Sequence, residues 1–227
     1  MNDRNPRRRA AWATVRMPHR ARSALVAFAL AAAHSSLAAA AEPAVYPEPI
    51  RKTVIVDAPV SQVWNAWTTS DGVPTFMGYQ AEVDLRPGGV YRVVFKTGET
   101  DPLDRGNDGR VVAVDPGKML SVTWMTPMFM SELRGNSTSL VLYFSPLCEG
   151  SKTRVDLVNT GYGSGSRWLE AHAYNRKGWG TVLSRLVFRF RHGPIDWKTF
   201  KEEPRGPGDA LARYDYSPDQ SSNEICP

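Results

Sequence analysis

The chain has 227 residues, 28 Lys and Arg against 23 Asp and Glu, and a formal net charge of +5. Seven Arg and one Asp lie in residues 1–41, which leaves 21 basic against 22 acidic residues beyond them, a net charge of −1. That balance argues against binding of nucleic acid through massed positive charge, and about 186 residues suffice for one domain with a substantial core.

Residues 1–41 read as a signal peptide. A basic stretch with Arg7, Arg8, Arg9, Arg16, Arg20 and Arg22 precedes "SALVAFALAAA", Ser23 to Ala33, and small residues follow it up to Ala40 and Ala41. The apolar stretch is shorter than the ~20 residues a bilayer span needs. Met17 is an alternative start, and the poor context after Arg7-Arg8-Arg9 favours the general secretion route over a twin-arginine one. The expected location is therefore exported, periplasmic or secreted, with no stable membrane insertion after leader cleavage.

Residues 42–50 form a Pro-rich linker. "IRKTVIVDAP" is a strand, and Pro59 opens a helix whose apolar residues Val60, Val63, Trp64 and Trp67 share a face. A short helix or turn follows in "VPTFMG". Strands then follow in "AEVDL", "VYRVVFK", "GRVVAVD", "MLSVTW", "SLVLYFSP" and "TRVDLVNT", with Arg86-Pro87-Gly88-Gly89 and "LCEGSK" as turns. Beyond "GYGSGS" a long helix carries Trp179, Val182, Leu183, Leu186, Val187 and Phe190 at helical spacing. His192-Gly193-Pro194 ends it. The domain is read as residues 51–192, and residues 193–227 as a flexible polar tail. The expected class is α+β: an antiparallel sheet with one face to bury and a long helix to cover it.

The ordered series "VWNAWTTSDGVPTFMG", "AEVDLRPGGVYRV", "GRVVAVDPGKMLSVTW", "SLVLYFSP", "KTRVDLVNTGYG" and "GWGTVLSRL" resembles the SRPBCC superfamily. More narrowly it is similar to the group of homologues of the activator of the heat-shock chaperone ATPase. The resemblance runs from about Arg51 to Phe190. It implies a helix-grip fold: a curved antiparallel sheet wrapped around a long C-terminal helix, with two short helices after the first strand and a cavity between sheet and helix.

Motifs for chemistry are sparse. Gly161, Gly163 and Gly165 have the wrong spacing for a dinucleotide loop, and no acidic-ended strand follows the helix. Asp104, Asp108 and Asp115 fit a calcium-loop template only in part, because Gly106 offers no side-chain ligand. No catalytic motif, cofactor or metal is expected. Cys148 and Cys226 are candidates for a disulfide in an oxidising compartment. What stands out is a set of large apolar residues on the elements the fold would bring together. The expected cavity lining is Trp64, Trp67, Phe76, Tyr91, Val93, Phe95, Trp124, Leu142, Trp168, His172, Trp179 and Leu183, with Trp64 and Trp67 at its mouth. The expected ligand is a small apolar or amphipathic molecule. Two alternatives stand beside it: a cyclase-, dehydratase- or isomerase-like enzyme using His172, Asn175 and Asn159, and a protein-interaction module. The oligomeric state is left open.

Overall fold

The computed structural model describes residues 44–95, 106–127, 129–200 and 226. The expected leader, most of the expected tail, Met128 and Asp104 lie outside them. Strands β1 (Ile50–Val56), β2 (Gln80–Val83), β3 (Val90–Val94), β4 (Gly106–Asp115), β5 (Met119–Met125), β6 (Ser137–Leu147) and β7 (Lys152–Thr160) form one curved sheet. Its order is β1-β7-β6-β5-β4-β3-β2, with every neighbouring pair antiparallel. Helix α1 (Val60–Thr68) and a 3-10 turn (Val73–Thr75) follow β1, and helix α2 (Ser166–His192) follows β7. The α+β order and the long closing helix agree with the sequence reading.

Period-two burial sets the sheet's inner face. Thr153, Val155, Leu157 and Asn159 of β7 point inward and are buried, as are Leu140, Leu142 and Phe144 of β6 and Leu120, Val122 and Trp124 of β5. Curvature is concentrated in β4. Its register shifts between Val111 and Ala113, a bulge that leaves Val112 about half exposed. At Gly109 a Cβ would lie 2.1 Å from the Thr123 carbonyl oxygen, so only glycine lets β4 approach β5 there.

Helix α2 buries one stripe: Ala171, Asn175, Trp179, Val182, Leu183 and Leu186. It runs closest along β1. Helix α1 buries Val63, Trp64, Ala66 and Trp67 and covers the β6–β7 part of the sheet.

The packed chain runs past His192, where the sequence reading began the tail. Ile195 is buried and its N–H donates to the Thr75 carbonyl (2.9 Å). Trp197 Nε1 donates to the Pro74 carbonyl (2.6 Å), and Phe200 stacks edge-on against Phe188 at 5.3 Å. Three large apolar side chains in six residues, at 195, 197 and 200, hold this segment on the turn after α1.

Cys148, in the turn between β6 and β7, is bonded to Cys226, 78 residues away. Closing a loop of that length in the unfolded chain stabilises by up to about 4 kcal/mol in the chain-entropy account. Thiol titration of unreduced protein in denaturant is expected to find no free thiol. Two thiols per chain would contradict the bond.

Candidate ligand cavity

A cavity of about 690 Å³ opens between α2 and the β3–β5 part of the sheet. It exists because α2 lies along β1 and stands off the far strands, where the sheet curls away. Phe95 after β3, Asn107 of β4 and Trp124 of β5 form the sheet wall. Tyr174, Gly178, Trp179 and Val182 form the helix wall, and Trp197 with Phe200 closes a third side. The rings are in mutual contact: Trp124 to Trp179 at 4.6 Å, Phe95 to Trp124 at 6.2 Å, Trp197 to Phe200 at 5.9 Å. Gly178 sits in the middle of α2, where glycine costs about 1 kcal/mol relative to alanine. A Cβ there would meet nothing within 4 Å, so the missing side chain widens the cavity.

Behind this wall runs a chain of buried hydrogen bonds. Asn175 Nδ2 donates to the Tyr162 hydroxyl (3.0 Å), and that hydroxyl donates to Asn159 Oδ1. The same oxygen accepts from Trp179 Nε1 (3.0 Å). Asn159 Nδ2 donates to Thr138 Oγ1 (2.9 Å) and to the Ser139 carbonyl (3.0 Å), and Thr138 Oγ1 donates to the Trp124 carbonyl (3.2 Å). Burial pushes the Tyr162 phenol above the ordinary tyrosine range, and the Asn175 bond offsets part of this. The phenol therefore stays a neutral donor. Asn107 is equally committed: Nδ2 donates to the Tyr91 carbonyl (2.9 Å) and Oδ1 accepts from the Met125 N–H (2.8 Å). The bond to Asn159 sets the orientation of the Trp179 ring, and the bond from Thr138 holds the Trp124 backbone.

The sequence profile described as "Activator of Hsp90 ATPase homolog 1-like protein" matches residues 57–190. The chain belongs to this family. It thereby falls within the SRPBCC superfamily that the sequence resembles. No curated protein sequence matches the chain. Among solved structures, protein MLL2253 from Mesorhizobium loti is 17% identical with a TM-score of 0.51, over 65% of this chain and 100% of that one. CalU16 from Micromonospora echinospora is 22% identical with a TM-score of 0.46, over 66% of this chain and 78% of that one. The Aha1 dimer from Colwellia psychrerythraea is 18% identical with a TM-score of 0.49, over 65% of this chain and 98% of that one. At 17% identity the likeness to MLL2253 speaks to the fold alone.

Within this member of the family, three of the residues expected to line the cavity do so: Phe95, Trp124 and Trp179. The others are placed elsewhere. Trp67 and Phe76 are fully buried and pack edge to face at 4.9 Å under α1. Trp64 packs on Phe144 at 5.2 Å. They fill the half of the sheet that α1 covers, so neither tryptophan stands at the cavity mouth. Tyr91 is fully buried and donates its hydroxyl to the Trp67 carbonyl (2.9 Å); burial raises its phenol as well. Val93, Leu142 and Leu183 belong to the closed core. Trp168 packs over Met130, Leu133 and Ala171 at the start of α2. His172 lies off the cavity, its Nε2 within 3.0 Å of the Glu48 carbonyl and its ring edge-on to Tyr162 at 4.9 Å. The trio His172, Asn175 and Asn159 gathers around Tyr162, the two amides at its hydroxyl and the imidazole at its ring, and of the three Asn175 lines the cavity. Of the calcium template, Asp108 accepts from Arg92 Nε (2.9 Å).

The sequence reading missed Gly178, Lys177, Arg185, Trp197 and Phe200 as lining residues. The large apolar pair at 197 and 200, directly before a polar stretch, was the available signal. Trp67→Ala is expected to cost about 3 kcal/mol of stability, the low end for truncating a large aromatic. The reason is that the buried Trp67 Nε1–H has no acceptor among the described residues and is removed with the ring. Affinity for an apolar probe per folded molecule should stay unchanged. Denaturant unfolding and probe titration on one variant measure both, and a selective loss of affinity would return Trp67 to the cavity.

Proposed function

We propose that this protein binds a small apolar or amphipathic molecule in the cavity between α2 and the sheet, and does so after export. The observation that carries the reading is the cavity itself: about 690 Å³, within the range of small-molecule sites, ringed by aromatic side chains and widened by a glycine inside a helix. The amides of its lining, Asn107 and Asn175, are bonded within the protein. Asn107, Asn159 and Tyr162 have their hydrogen bonds filled by the protein, which leaves them as positioning groups for the wall. Binding without turnover is the simplest activity for such a lining. Export rests on the basic, apolar and small-residue order of residues 1–41 and on two cysteines that pair.

Gly178 gives a direct test, because a side chain there enters the cavity without crowding the core. Gly178→Phe is expected to lower affinity for a neutral apolar fluorophore by at least about tenfold, roughly 1.4 kcal/mol. Gly178→Ala is expected to stabilise the fold by about 0.5–1 kcal/mol through helix propensity and a less disordered unfolded chain. Unchanged affinity in a folded Gly178→Phe variant would remove the cavity as the binding site. For export, intact mass of the secreted chain is expected to place its first residue at Ala41 or Glu42. A full-length cytoplasmic product as the main species would end that proposal.

A further inference from the structure

The buried hydrogen bonds behind the cavity wall run in one direction, and that direction leaves an acceptor and a donor on the wall itself. Trp179 Nε1 can only donate, so the Asn159 atom that meets it is Oδ1. The Tyr162 hydroxyl gives its one hydrogen to the same oxygen. Only lone pairs are then left on it for Asn175, which must turn Nδ2 toward it. The Asn175 carbonyl oxygen, Oδ1, is thereby set on the other branch of the amide. Asn175 lines the cavity and is 6% exposed, and its Oδ1 accepts no hydrogen bond among the described residues. This oxygen is not one of the unpartnered polar atoms sealed inside the protein, so it opens to the cavity. Trp124 Nε1–H stands in the same position. Trp124 lines the cavity and is 8% exposed, and its N–H meets no acceptor among the described residues and is not sealed. The neighbouring groups differ. Trp179 Nε1 donates to Asn159, Trp197 Nε1 donates to the Pro74 carbonyl, and Asn107 uses both ends of its amide. Asn175 and Trp179 stand one helical turn apart on α2, and the Trp179 ring meets the Trp124 ring at 4.6 Å. The open acceptor and the open donor thus belong to one end of the cavity.

We infer that the ligand carries, on its apolar body, a head group that donates a hydrogen bond to Asn175 Oδ1 and accepts one from Trp124 Nε1–H. This deepens the apolar-ligand reading and rests on it. A carboxylate cannot donate and an ammonium cannot accept, whereas a hydroxyl or an amide does both. The ligand class is therefore an alcohol, phenol or amide with an apolar remainder. Asn175 is the residue that sets this specificity, because Tyr162 holds its amide in one orientation. In surroundings of low dielectric an unmade hydrogen bond is costly, so such a wall rejects an analogue that lacks the head group.

Three naphthalenes substituted at the same ring position separate the inference from the reading beneath it. Naphthol donates and accepts, methoxynaphthalene only accepts, and ethylnaphthalene does neither. An apolar cavity alone would rank them by hydrophobicity, with ethylnaphthalene tightest. The inference reverses that order. Naphthol is expected to bind the native chain about three- to tenfold more tightly than methoxynaphthalene, the scale of one hydrogen bond. Methoxynaphthalene should in turn bind more tightly than ethylnaphthalene. Asn175→Leu should remove the first margin with the affinity for ethylnaphthalene held, and Trp124→Phe should remove the second. An Asn175 that only supports the fold would weaken all three probes alike in Asn175→Leu and keep the margin, which would overturn the inference. Ethylnaphthalene binding tightest to the native chain would also overturn it and leave the cavity reading standing. That order is read without any variant, so it does not depend on a variant folding. Failure of all three probes to bind the native chain would overturn both.

Discussion

A long helix laid against a wide curved sheet has to be anchored somewhere and stand clear somewhere else. Asn159 provides the anchor. Its amide is fully buried in β7 and ties that strand to three other parts of the fold: the neighbouring strand through Thr138 and Ser139, the connection before α2 through Tyr162, and α2 through Trp179. Thr138, Tyr162 and Trp179 are themselves buried, so an unmade bond to them would leave polar groups dry at about 1–3 kcal/mol apiece. Burying an amide is tolerable only because every donor and acceptor runs in one consistent direction. The result is a fixed rotation for α2. Trp179 is turned to the cavity, Leu183 and Leu186 to the core, and the stripe of Lys177, Thr181 and Arg185 to the cavity's polar side.

The space follows from an uneven distribution of bulk. On one half of the sheet α1 inserts Trp64 and Trp67, and with Phe76 and Phe144 these rings leave no room. On the other half the β4 bulge and Gly109 bend the strands away, and α2 presents Gly178 where a larger residue would close the gap. The chain after α2 then returns along the turn at Val73–Thr75 and supplies Trp197 and Phe200 as a third wall. Tilted ring contacts run from Phe95 through Trp124 to Trp179, so the lining is stiff although it faces open space.

The same helix sets the electrostatics. Arg167 at its start is bound to Glu132 and Glu170 outside the cavity, and Asp57 near its end meets Arg191 and Lys152 on the surface. These exposed pairs contribute little to stability. They hold Glu132, Glu170 and Asp57 away from the lining.

The sequence by itself determined the elements and the family. Period-two and helical spacings report which side of a strand or helix is apolar, and seven strands, two helices and the closing role of the long helix are local consequences of that pattern. The ordered motifs from Arg51 to Phe190 carried the family. What local spacing cannot carry is which apolar face meets another side chain and which meets space. Trp67 and Trp179 look alike in sequence, since both sit on the apolar stripe of a helix. Only the tertiary structure separates them: α1 lies flat on the sheet and closes over Trp67, while the sheet's curl leaves Trp179 facing a cavity. His172 shares the helix with Asn175, yet three residues of rotation turn it to Glu48 instead. Residues 193–200 read as the start of a polar tail because their partners, Pro74 and Thr75, lie more than a hundred residues earlier in the chain. Packing across that distance is a property of the folded surface, and no window along the chain contains it.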